Sequence, residues 1–157
     1  MRRADFLAKL REEGKLELTE PSENIKSAYI AKSESHLISA KLLLESSRLE
    51  ESVSMAYYSI YFMLQALLYK TGIKCENHSA AIVLLDKVYA LSNADISAAK
   101  RERIDKQYYV DFSVTRQETA ALIRTAERFN ARLLDFLEKL NNEKIGEHRE
   151  RLNRMIS

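Results

Sequence analysis

The run Lys100-Arg101-Glu102-Arg103-Ile104-Asp105-Lys106-Gln107-Tyr108-Tyr109 carries the residue types in this chain best suited to chemistry with a phosphorylated ligand. Arg101 and Tyr108 are seven residues apart, and Arg103, Lys106 and Gln107 lie three and four apart, so on a helix cations and phenol hydroxyls share faces. Guanidinium groups bind phosphate and stack on bases, and tyrosine rings add a stacking platform. Arg101, Arg103, Lys106, Tyr108 and Tyr109 are therefore the candidate contacts for a nucleotide or a single-stranded RNA. The plainer reading of the same run is a solvated helix face, with Arg101 and Asp105 paired and Tyr108 packed inward. Lys144, Arg149, Arg151 and Arg154 could extend a basic surface, but Glu143, Glu147 and Glu150 interleave with them.

Other chemistries find less support. His36, His78 and His148 are far apart, and none has a second ligand at i+3 or i+4, so no metal site is expected. Cys75 is the only cysteine, which excludes an internal disulfide and reads as a half-buried reduced thiol. Three scattered glycines form no phosphate loop, and no cofactor is expected. The net charge of +2 permits an anionic partner without demanding one.

These residues need elements to position them. The chain of 157 residues is long enough for one domain with its own core, and with three glycines, one proline and 31% charged residues it favours long helices. An N-terminal arm over 1–20, a helical bundle over 21–141 and a polar basic tail over 142–157 are expected. The arm holds a short helix over 4–13 ended by Gly14, then an extended connection to Pro21. A helix from Ser22 closes at Ser46-Ser47, and Ser47 to Glu50 has the spacing of a capping box for the next helix, its antiparallel partner. That second helix contains Val53 to Tyr69, apolar or aromatic on nearly every face. Seventeen residues are short for a bilayer span, and Ser54, Ser59 and Gln65 interrupt them, so the segment reads as the centre of a soluble bundle. Gly72 ends it, residues 73–77 read as a loop, and Asn77 or His78 caps a third helix. A fourth, over 95–109, is the polar one. Thr115 to Glu118 is a capping box for the last long helix, whose Leu122, Ala126, Phe129, Leu133, Phe136 and Leu140 form an interhelical seam. Leu122, Phe129, Leu133 and Phe136 are expected against Tyr57, Ile60, Leu64 and Leu68. No export signal is read at the start, and the reading favours a reducing cytoplasm.

In order, Glu20-Pro21-Ser22, Ala40-Lys41-Leu42-Leu43-Leu44-Glu45, Ala56-Tyr57-Tyr58-Ser59-Ile60-Tyr61-Phe62, Lys74 to Ser79, and Gln107-Tyr108-Tyr109-Val110 resemble the HEPN family of prokaryotic and archaeal helical domains. The resemblance runs from 21 to about 140. It implies an all-α, up-and-down bundle of four or five helices, usually dimeric, with the polar fourth helix near the dimer cleft. The branch resembled often accompanies a minimal nucleotidyltransferase.

Many HEPN members look like endoribonucleases that use an arginine followed, four to six residues on, by a histidine on that fourth helix. Here Tyr108 stands where that histidine would be, after Arg103 or Arg101, and a phenol is a poor base near neutral pH. The favoured expectation is a non-catalytic homodimeric subunit that holds a nucleotide or single-stranded RNA and pairs with a nucleotidyltransferase in a toxin-antitoxin-like module. A corollary is that Tyr108 or Tyr109 accepts a nucleotidyl group. The alternatives are a ribonuclease in which His78, carried by its loop to the cleft, supplies the missing base, and a dimeric scaffold.

Overall fold

The computed structural model describes residues 2–108 and 113–157, and their side chains apart from those of residue 4 and residues 105–108. The order is α1 (Arg3–Glu12), β1 (Leu16–Leu18), α2 (Glu23–Glu45), α3 (Leu49–Lys70), β2 (Ile73–Cys75), α4 (His78–Lys87), α5 (Ala94–Tyr108), α6 (Arg116–Glu138) and α7 (Asn142–Ile156). Helix α3 is the axis. Between Ser52 and Tyr69 every residue but Met55, Tyr58 and Phe62 is buried, so three other helices, α2, α5 and α6, must lie along it. No helix of the described residues is long and apolar enough to cross a membrane.

Ser22 caps α2 by accepting from Ile25 N, and α2 and α3 form an antiparallel pair joined by a tight turn. Ser47 enters that turn with a left-handed backbone, φ 57°. The expected capping box is absent: Arg48 precedes α3 with no side-chain cap, because Ser47 is used to reverse the chain after α2. Arg116 closes the same end of α2, donating to the Leu44 carbonyl at 2.8 Å and lying 3.5 Å from the Ser47 hydroxyl. At mid-length, Ser33 and Ser59 exchange hydrogen bonds with each other's carbonyls at 2.6 and 2.8 Å. Asn130 of α6 donates to both hydroxyls, so one buried polar node fixes the register of α2, α3 and α6.

Thr115 caps α6 by accepting from Glu118 N. Leu122, Phe129 and Leu133 of α6 are buried, as are Tyr57, Ile60, Leu64 and Leu68 of α3, which α6 contacts along its length. Phe136 departs from the expected seam. It is half-buried and packs edge-on to Tyr89 at 6.0 Å with His148 at 5.8 Å, because α6 here has passed from α3 to the end of α4 and to α7.

The segment expected as a loop from residue 73 begins as β2, antiparallel to β1 with Leu16 opposite Cys75 and Leu18 opposite Ile73. Three residues are too few for alternation to be read from sequence, yet Ile73 and Cys75 are fully buried and Lys74 is exposed. Over 142–157 the chain forms α7, capped by Asn141 and packed on α1 through Leu152 and Ile156. One Arg149 nitrogen donates to the carbonyls of Thr19, Thr71 and Gly72 at 2.7, 3.0 and 2.9 Å. Gly72 has φ 74°, and a Cβ there would run into Arg149 and the Thr19 carbonyl.

Two glycine substitutions therefore have opposite signs. Gly72→Ala is expected to lose about 3 kcal/mol, the left-handed backbone and the displaced arginine both contributing. Gly146→Ala lies in the middle of α7, with nothing near the added methyl, and is expected to gain about 0.5–1 kcal/mol. Chemical denaturation of the two variants checks both.

Candidate nucleic-acid interface

Met55, Tyr58 and Phe62, spaced three and four apart, are the stripe of α3 that remains partly open. Tyr58 and Phe62 stack at 5.8 Å and make an aromatic floor. Cations and imidazoles stand around it. From α2, Lys32 lies over Phe62 at 4.6 Å and His36 meets the same ring edge-on at 4.9 Å. From α5, the Arg103 guanidinium lies 4.9 Å from the Tyr58 ring and 5.6 Å from that of Tyr57. From the start of α4, His78 places Nδ1 2.7 Å from the Tyr57 hydroxyl and stacks on Tyr61 at 3.7 Å and 9°.

The inner wall is a chain of hydrogen bonds. Gln65 donates to the Tyr61 hydroxyl and to the Cys75 carbonyl, both at 2.8 Å, and Tyr61 donates to the Glu76 carbonyl at 3.2 Å. These bonds tie the segment before α4 to α3, and Asn77 then caps α4 by accepting from Ala80 N. His78 is thus held at a helix start by a braced loop, with Lys100 donating to the neighbouring Ser79 hydroxyl at 2.7 Å.

Electrostatics follow from this placement. Burial, then the charges of Lys100 and Arg103, lower the His78 pKa below its ordinary 6.5, so its imidazole is neutral at neutral pH. Burial raises Tyr57 to about 12, against the pull of Arg103, so it stays a phenol. Tyr61 shifts the same way, chiefly from burial. Cys75 is raised to about 11 by burial, which makes it an inert thiol. A neutral His78 has two arrangements. With Tyr57 donating to Nδ1, Nε2 carries a proton to offer a phosphate; with Nδ1 donating to Tyr57, Nε2 can accept a proton.

The predicted contacts separate. Arg103 faces the aromatic floor, whereas Arg101 is exposed and lines the groove between α4 and α5 with Lys100 and Arg3. Lys106 and Tyr108 fall on α5, but their side chains lie outside those described, and Tyr109 lies outside the described residues. The sequence alone did not reveal Tyr58 as the ring under Arg103, nor Lys32, His36 and Phe62 as the other members of the patch around it. The aromatic residues in an otherwise buried helix were the signal, and the exposed stripe of α3 could have been found only once its partners were known.

A bundle of antiparallel helices with a cationic, aromatic cleft beside its polar helix describes a class, and the sequence comparison gives its name. Residues 27–140 match the HEPN domain, and the chain belongs to that family. It is 44% identical over 54 residues to the UPF0332 protein PH1297 of Pyrococcus horikoshii, a match covering 34% of this chain and 38% of that protein.

The charge of Arg103 acts on His78. NMR titration of His78 is expected to give a midpoint below 6.5, moving upward in Arg103→Gln because one repelling charge is removed. An unchanged midpoint would separate the two residues.

Proposed function

We propose that this chain is a binding and regulatory HEPN subunit. It forms a homodimer, holds a nucleotide unit of single-stranded RNA on the floor of Tyr58 and Phe62, and pairs with a minimal nucleotidyltransferase in a toxin-antitoxin-like module. The observation that carries the reading is the Arg103 guanidinium stacked over Tyr58 beside His78 and Lys100. An aromatic face takes a base irrespective of its identity, and the surrounding cations take its phosphates. The polar helix and the family membership support the module, in which Tyr108 or Tyr109 is the candidate acceptor of a nucleotidyl group.

Fluorescence anisotropy with a labelled single-stranded RNA tests the binding. Arg103→Gln is expected to weaken it about tenfold, or about 1.4 kcal/mol. Binding by the parent protein should weaken as salt rises. Equal affinity of variant and parent, or no binding by either, would refute the cleft. Intact-mass spectra after incubation with partner and nucleotide test the tyrosine acceptor.

A second reading has its own observation: His78 is neutral, hydrogen-bonded through Nδ1 and close enough to Arg103 to feel its charge. With Nδ1–H donating to Tyr57, Nε2 would take the proton of an RNA 2′-hydroxyl while Arg103 balances the phosphate charge. Cleavage would then rise with pH through a value below 6.5 and level off by neutrality. His78→Ala is expected to abolish it; cleavage that survives the substitution would dismiss this reading.

A further inference from the structure

Helix α5 separates two grooves of opposite charge. Towards α6 the groove is lined by Asp95, Glu102 and Glu118 with Ala98, Ala121 and Thr125 between them. Towards α4, a groove of about 300 Å³ has Ile82 and Val83 in its floor and Arg3, Lys100 and Arg101 around it, with Ser79, Asn93 and Ser97 as uncharged polar groups. Asn93 is braced there, donating to the Ile82 carbonyl at 3.1 Å.

Lys100 joins this groove to the cleft. Its ammonium group bonds Ser79 inside the groove, and its charge helps to lower the pKa of His78, the adjacent residue, which faces the aromatic floor. The cations along this route are Arg103, Lys100 and Arg101 of α5 and Arg3 of α1. A polyanion leaving the cleft is repelled on the α6 side by Asp95 and Glu102 and attracted on the α4 side by three cations. The apolar floor between those cations suits a base or ribose rather than a phosphate alone.

We infer that the α4–α5 groove is a second nucleotide subsite, continuous with the Arg103 cleft, and that the ligand is a single-stranded RNA running from one to the other rather than a free mononucleotide. The inference rests on the cleft reading and adds the direction of the strand's path and the residues that hold it, Arg3, Lys100 and Arg101. The N-terminal helix is then part of the binding surface, since Arg3 projects from it into the groove.

Arg3 and Arg101 are both exposed, so R3Q/R101Q can be made without opening the core. Binding is read by anisotropy with a 2′-O-methyl octauridylate, which resists cleavage, and by calorimetry with uridine monophosphate. The double variant is expected to bind the octamer about tenfold more weakly, to reduce the salt slope by about 1.4, from about 0.7 per phosphate contact, and to leave the mononucleotide unaffected. R124Q/R128Q removes the same charge from the exposed face of α6 and is expected to change octamer binding less than about twofold. Octamer binding retained in R3Q/R101Q but lost in R103Q overturns the subsite and leaves the cleft reading standing. An equal loss in R124Q/R128Q overturns it as well, by showing diffuse attraction. A loss in R3Q/R101Q with R103Q silent overturns the cleft reading and the continuous path with it.

Discussion

The burial of α3 governs the rest of the molecule. A helix with almost no water-tolerant face requires neighbours around nearly its whole circumference, and the neighbours it gains are α2, α5 and α6. Buried tyrosines add a second demand, since each phenol needs a hydrogen-bonding partner. Tyr57 finds His78 and Tyr61 finds Gln65 and the Glu76 carbonyl, both on the side where the chain enters α4. The packing of the core thereby determines where the loop before α4 runs. The cleft is what remains where α3 is not fully covered.

Much of this was legible in the residues. Spacing placed the long helices, and the caps at Thr115 and at Asn77, one of the two residues expected to cap α4, were recognisable because each serves its own helix locally. Ser47 misled because a serine three residues before a glutamate looks the same whether it caps the following helix or reverses the preceding one; only the left-handed backbone distinguishes them. The β1–β2 pairing escaped notice because each strand is three residues long and its partner is more than fifty residues away. Arg103 was marked by its neighbours in sequence, but Tyr58 beneath it, and Lys32 and His36 against the same pair of rings, come together only through the association of α2, α3 and α5.

The cleft and the core use the same side chains for different ends. Tyr57 is fully buried on α3 yet its hydroxyl holds Nδ1 of His78 in a hydrogen bond at 2.7 Å. Tyr61 packs in the core and also forms the surface on which the His78 ring lies flat. A substitution at either position therefore acts on stability and on the site together, whereas Arg103, half-exposed above the rings, reports on the site with less disturbance of the interior.

The contact between α1 and α7 joins segments separated by most of the chain, and Arg149 sits at its inner end on the carbonyls of Thr19, Thr71 and Gly72. The α2–α3 hairpin, by contrast, is built from neighbours in sequence. Closing the loop between the terminal helices costs more chain entropy than closing the short α2–α3 turn. The groove beside α4 borrows Arg3 from α1, a helix held by β1, α4 and α7 together, so its complete form depends on both ends of the chain at once.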